Sequence, residues 1–230
     1  MTWANLPREL KERAQWCIAA PAGMFSEKGK EPLTLRSDGT FTFASVVEPG
    51  TWMSFDEAAH IASLQGFHIG YVLTSDDPYS CIDFDIKDAS NAPGKENLWT
   101  TREEYEYYLD SIRRFDTYTE YSASGKGFHV WARGKIGRGV RGYGVEIYSQ
   151  ERFIISTGVV TNNKPIEFRE AQLLSFADQI RPRSSANEII LENLPPEDDD
   201  WFILQTAFNA ENSEKFIALW KGKWEELGYP

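Results

Sequence analysis

Cysteine and histidine are scarce in this sequence of 230 residues: Cys17 and Cys81, with His60, His68 and His129. Two cysteines cannot build a disulfide framework, and three scattered histidines do not complete a four-ligand zinc site. The chain therefore reads as a protein of a reducing cytoplasm. No stretch approaches 18 apolar residues, so no segment reads as a membrane span. The opening MTWANLPRELKERAQW is too polar and charged for a secretory signal. Positive charge is also short, with 24 Lys+Arg against 35 Asp+Glu and a net charge of −11. Such a surface, taken whole, does not attract nucleic acid. Internal repeats are absent. What is plentiful is core material: hydrophobic residues make up 41%, and eight Trp stand among the aromatics. That composition belongs to a globular protein, and the length to one large domain or a domain with a short appendage.

Charge is unevenly placed. Residues 112–152 hold Arg113, Arg114, Lys126, Arg133, Lys135, Arg138, Arg141 and Arg152 against Asp116, Glu120, Glu146 and Glu151. This local excess of positive charge is either a phosphate-contacting surface or solvated charge on hairpin loops.

The order of elements follows from periodicity and punctuation. AQWCIAAP reads as a strand, and 23–50 as loops with a hairpin turning at RSDG. Ser54-Phe-Asp-Glu57 is a capping box opening a helix through Ala58, Ile61, Ala62 and Leu64, with Gly66 placed to end it. FHIGYVLT (67–74) and YSCIDFDI (79–86) read as strands around an SDDP turn, and 87–100 as a loop. Thr101-Arg-Glu-Glu104 caps a second helix, whose expected apolar stripe is Tyr105, Tyr108, Leu109 and Ile112. TYTEYS, FHVWARG, VEIYS and RFIIST alternate as four short strands, and 169–180 reads as a helix. After RPRSS the composition shifts through an acidic PPEDDD break, and 200–220 reads as one or two helices. Mixed strands and helices with hairpins indicate an α+β fold with a largely antiparallel sheet.

Three constellations carry chemistry. In the strand Cys81-Ile-Asp-Phe-Asp-Ile86, alternation sends Asp83 and Asp85 to one face, with Cα atoms roughly 7 Å apart. Such a pair suits one or two Mg²⁺ ions, which take hard oxygen ligands and keep phosphates and waters. In Tyr121-Ser-Ala-Ser-Gly-Lys-Gly-Phe-His-Val-Trp131, a tight Gly-rich turn offers backbone N–H groups, the Ser122 and Ser124 hydroxyls and Lys126 to an anion. Its spacing is not that of a Walker A loop. His129 and Trp131 share a face of the strand that follows. The third stretch, Val145-Glu-Ile-Tyr-Ser-Gln-Glu-Arg-Phe-Ile-Ile-Ser-Thr-Gly158, reads as a hairpin turning near Ser149–Glu151. Pairing of Tyr148 with Arg152 would set that arginine beside Glu146. Taken alone, each pattern also fits a plainer role: an acidic strand face, a Gly-rich turn with a half-buried histidine, a surface ion pair.

In this order the three stretches resemble the archaeo-eukaryotic primase superfamily, specifically the primase-polymerases (PrimPol catalytic domains) of phages and plasmids. That family runs a DxD strand, an S-x-S-G-x-G-x-H motif and an acidic-hydrophobic-Tyr…Arg-Phe…Thr-Gly motif. Here they stand as CIDFD (81–85), YTEYSASGKGFHVW (118–131) and VEIYSQERFIISTG (145–158). GYVLTSDDPYSCIDFD, Gln15-Trp16 and the tail EKFIALWKGKWEELGYP are also similar. The family's G-x-K-x-P run survives only as Gly29-Lys-Glu-Pro32.

The resemblance implies an RRM-like catalytic sheet flanked by helices in residues 1–180. Residues 181–230 would be an acidic linker and the start of a longer primase helical region. It implies metal-dependent nucleotidyl transfer: template-directed primer synthesis and extension on single-stranded DNA from NTP or dNTP, in phage or plasmid replication, with a helicase as possible partner. Asp83, Asp85 and Glu146 match the residues that hold Mg²⁺ or Mn²⁺. Ser122, Ser124, Gly125, Lys126, His129 and Arg152 match the nucleotide-phosphate contacts. The alternative is a replication accessory of the same fold that binds nucleotide or single strand without turnover. A rolling-circle nicking enzyme is disfavoured, because the residue two past His129 is Trp131 rather than a second histidine.

Overall fold

The computed structural model describes residues 3–27, 29–181 and the helix Ser213–Trp220. The chain divides into two compact units, Met1–Arg181 and Pro182–Pro230. Of the second unit only the one helix is described, so the helical expectation for 200–212 lies outside the described residues.

The first unit is α+β with two antiparallel sheets. In chain order the elements are helix α1 (Arg8–Lys11), strands β1 (Trp16–Ala19), β2 (Leu33–Leu35) and β3 (Phe41–Phe43), helix α2 (Phe55–Gln65), strands β4 (His68–Leu73) and β5 (Tyr79–Phe84), and helix α3 (Arg102–Phe115). Strands β6 (Thr119–Tyr121), β7 (Phe128–Arg133), β8 (Val140–Gly142), β9 (Val145–Tyr148), β10 (Arg152–Ser156) and β11 (Val160–Asn162) follow, and then helix α4 (Glu170–Ile180). One sheet runs β10-β4-β1-β2-β3 and the other β11-β6-β7-β5-β9-β8.

Both capping boxes form. Ser54 accepts from the Glu57 amide and Thr101 from the Glu104 amide, and each glutamate reaches back to the cap amide. Gly66 ends α2 in the left-handed region at φ 72°. Helix α3 buries Tyr108, Ser111 and Phe115 and leaves Tyr105 exposed, so its inward stripe is rotated from the expected one. Phe115 is drawn in because it packs edge-on against Phe176 of α4, ring centroids 5.6 Å apart. Three short elements, α1, β8 and β11, gave no periodicity to read.

The largest departure concerns residues 145–156. They do not form a hairpin. β9 pairs with β5 in one sheet, whereas β10 pairs with β4 in the other. The chain steps between sheets at Ser149–Glu151, with Glu151 in the left-handed region at φ 51°. β4 and β5 part in the same way around the SDDP turn. That turn is locked by the buried Asp77, which accepts from the Thr74 and Tyr79 amides, Gln15 Nε2 and Lys135 Nζ.

Two cores result. Trp16, Tyr71, Trp131, Cys81 and Tyr118 fill the space between the sheets and under α2. Tyr71 of β4 packs edge-on against Trp131 of β7 at 5.8 Å, joining one sheet to the other. On the far face of the β7–β5–β9 sheet, Ile82, Phe84, Val130, Val145 and Ile147 pack against α3 and α4. Alternation along β5, β7 and β9 thus feeds both cores.

Candidate active site

The sheet register builds the site. Directly opposed residues of antiparallel strands share a face. Glu120 of β6 lies opposite His129 of β7, His129 opposite Asp83 of β5, Asp83 opposite Glu146 of β9, and Glu146 opposite Arg141 of β8. Five polar side chains therefore form one transverse row across five strands, on the face toward the other sheet. Asp85 continues the parity of Asp83 just past the end of β5, where its amide donates to the Gly144 carbonyl at 2.9 Å.

The carboxylates differ in setting. Asp83 is 29% exposed, and Asp85 is 55% exposed with Lys87 Nζ 3.5 Å from its carboxylate. Burial pushes the Asp83 carboxyl above its ordinary range; His129 opposes this, Glu146 and Asp85 add to it, and the Lys30 charge pulls the other way. His129 Nε2 stands 3.7 Å from Asp83 Oδ1, and His129 Nδ1 3.7 Å from Glu120 Oε1. Burial works against an imidazolium there, yet Asp83 and then Glu120 outweigh it and hold the ring's proton affinity above the ordinary value.

Glu146 is only 16% exposed and is engaged by three donors: Arg141 Nε at 2.9 Å, Tyr148 Oη at 2.7 Å and Arg152 Nη2 at 3.3 Å. The Arg152 guanidinium also lies 4.1 Å over the Tyr148 ring. Arg152 thus reaches Glu146 as the sequence suggested, but from the neighbouring sheet rather than across a hairpin.

The Ser-Gly-Lys-Gly turn is held by its own serines. Ser122 Oγ accepts from the Gly127 amide at 3.1 Å, Ser124 Oγ accepts from the Lys126 amide at 3.3 Å, and the two hydroxyls bond each other at 3.1 Å. Gly125 supplies the left-handed position at φ 72°. The Lys126 ammonium is turned onto the Asp88 carboxylate and the Ser90 hydroxyl, and holds Asp88 well below the usual carboxylate range. A cleft of about 360 Å³ opens beside the turn, lined by His68, Tyr121, Ser122, Gly125, Thr157 and Val159.

The structure thus gathers Asp83, Glu146, His129 and Arg152 on one face, with Asp85 at the same strand end. Among the described residues, no three Asp, Glu, His or Cys side chains stand close enough to enclose an ion as they are placed. The donor chemistry of Asp83 and Asp85 fits a hard cation such as Mg²⁺, whose remaining ligands phosphate and water would supply. Glu146 is not free to join them while Arg141 and Arg152 hold it. Much of the basic segment is neutralised within the fold: Arg133 pairs with Glu9, Lys135 with Asp77, and Arg113 and Arg114 with Asp110. It does not form an open basic patch.

Sequence reasoning assigned no role to Lys30, Glu120 or Arg141. Glu120 was within reach of it. A turn closed at Ser122–Gly127 sets Tyr121 opposite Phe128 and Glu120 opposite His129. Arg141 sits on a strand too short to show alternation, and Lys30 acts from a loop.

No family model matches the chain. It is 26% identical over 210 aligned residues to the DNA primase-polymerase of Nitratiruptor phage NrS-1. That likeness supports a phage primase-polymerase domain. The match covers 78% of this chain and 27% of the phage protein, so the chain spans about a quarter of its relative's length.

Proposed function

We propose that this domain is a nucleotidyltransferase that synthesises and extends primers on a single-stranded DNA template, with residues 1–180 as the catalytic domain and Mg²⁺ or Mn²⁺ as its cofactor. The observation that carries this reading is the transverse row. It crowds carboxylates of three strands beside a buried histidine and an arginine, an arrangement that serves no apolar core. The similarity to a phage DNA primase-polymerase supports the same reaction class.

In the reaction, the primer 3′-hydroxyl oxygen bonds the α-phosphorus of an incoming nucleoside triphosphate, pyrophosphate leaves, and the hydroxyl proton passes to solvent. A bound divalent cation would neutralise phosphate charge and lower the hydroxyl's proton affinity. Asp83 and Asp85 would hold it, and Glu146 could join them once Arg141 and Arg152 turn to phosphate. Arg152 presents a planar fork to the triphosphate while stacked on Tyr148. His129 Nε2 faces the same space, and Lys126, exchanging Asp88 for phosphate, closes the turn over it together with Ser122, Ser124 and Gly125. Positioning and charge compensation are then the whole of the catalysis.

The engagement of Glu146 by two arginines also suits an accessory module that binds nucleotide without turnover. One experiment separates the readings: Asp83→Asn with Asp85→Asn, assayed on primed and unprimed single-stranded DNA with NTP and dNTP in separate reactions. Loss of incorporation by at least about 100-fold, with unfolding behaviour retained, is expected. Undiminished incorporation by the double variant would remove the mechanism. Nucleotide binding by the wild type without pyrophosphate release would establish the accessory reading.

A further inference from the structure

Among the described residues, four buried side-chain polar atoms lack a hydrogen-bond partner: Tyr71 Oη, Trp131 Nε1, Glu120 Oε1 and His129 Nδ1. The last two face each other at 3.7 Å. Glu120 has no exposed surface at all. Its other oxygen, Oε2, is saturated: it accepts from the Gly158 amide at 2.7 Å, the Thr157 amide at 3.1 Å and the Tyr118 hydroxyl at 3.1 Å. A carboxylate with one oxygen pinned by three donors cannot rotate, so its second oxygen is aimed at the imidazole by construction. Buried carboxylate oxygens without a partner are costly, and His129 Nδ1, itself unpaired, stands 3.7 Å from this one.

We propose that Glu120 is a positioning residue for His129. Its Oε1 accepts the Nδ1 proton of the imidazole and so fixes the ring with Nε2 toward Asp83 and the phosphate-binding space. The separation closes by less than 1 Å from the 3.7 Å seen here. The same carboxylate ties the Thr157-Gly158 amides to the hairpin bearing the Gly-rich turn, which gives that Thr-Gly pair a structural purpose. As a device, it is the carboxylate behind a working histidine that sets which nitrogen carries the proton. The catalytic consequence rests on the proposed nucleotidyl transfer, whereas the contact itself does not.

The test is Glu120→Gln. Three donors hold the oxygen of the new amide where Oε2 was, so its NH₂ group must face His129 Nδ1 and donate to it. The expected result is therefore an inversion. In substrate-free protein, at a pH high enough that the imidazole carries a single proton, nitrogen-15 NMR shows that proton on His129 Nδ1 in the wild type and on Nε2 in Glu120→Gln. A wild-type Nδ1 without a proton, or one unaffected by the substitution, overturns the proposal, and the wild-type spectrum decides even if the variant fails to fold. In incorporation assays the variant should lose about 10- to 100-fold in kcat/KM for nucleotide. Full activity with an inverted tautomer would refute the catalytic role. The inversion on substitution, together with a wild type that incorporates no nucleotide, would leave the contact standing and remove the proposed function.

Discussion

Gly127 links the Gly-rich turn to the aspartate strand, and replacing it with alanine should uncouple them. A Cβ at this position would lie 2.3 Å from the carbonyl oxygen of Phe84 and 3.1 Å from Ser122 Oγ. Ordinary contact begins near 3.4 Å, so the backbone of β5 and the start of β7 must part by about 1.1 Å. Neither obstacle can yield as a flexible side chain would. One is main chain between Asp83 and Asp85, and the other holds the turn. Overpacking of this kind costs about 1–3 kcal/mol. At about 2–4 °C per kcal/mol for a domain of this size, Tm should fall by roughly 2–12 °C. The catalytic cost should be larger in proportion, because a displacement near 1 Å between reacting groups costs about 100-fold. The matched control is Gly66→Ala, outside the proposed site. Gly66 sits at φ +72° with nothing within 4 Å of a new Cβ, so the substitution strains the end of α2 by about 1–2 kcal/mol without pushing on Phe84. Primer extension at saturating nucleotide, with a thermal melt of each protein, provides the comparison. Gly127→Ala that extends primers as well as Gly66→Ala would refute the reasoning.

Two further outcomes follow from buried titratable groups. Burial holds His68 below its ordinary value of 6.5, whereas Asp83 and Glu120 overcome burial to hold His129 above it. The signs therefore oppose. The His68 contribution is intact above pH 6.5 and lost as pH falls toward its folded value, because the unfolded chain then binds the extra proton. The His129 contribution is full below pH 6.5 and lost as pH rises through its folded value. Chemical unfolding in metal-free buffer should show His68→Gln flattening the acid limb and His129→Gln the alkaline limb; both variants altering the same limb would contradict the assignment. Burial also pushes the Cys17 thiol up to about 12 and raises Cys81 well above its ordinary value. Both should resist alkylation at pH 8 in the native protein and react fully in denaturant, as counted by mass spectrometry.

Local order was legible because local rules sufficed. Two capping boxes, a left-handed Gly66 and period-2 alternation marked both long helices of the N-terminal half and most strands. The same alternation placed Asp83 with Asp85 and Glu146 with Tyr148 on shared faces. Helix α1 and strands β8 and β11 escaped because three or four residues carry too little periodicity to read.

What the sequence determined by itself is the set of side chains on each strand face, since the pleat assigns them by parity alone. Which strands lie side by side was decided only in the folded molecule. VEIY and RFIIS, adjacent in the chain, belong to different sheets, because the buried Tyr71–Trp131 packing and the pairing of β10 with β4 are long-range contacts with no local signature. The same long-range register put Glu120, His129, Asp83, Glu146 and Arg141 in one row. It also brought Arg152 to Glu146 across the gap between sheets and turned Lys126 onto Asp88. Parity is a property of each strand, whereas register is a property of pairs, and the site is made of pairs.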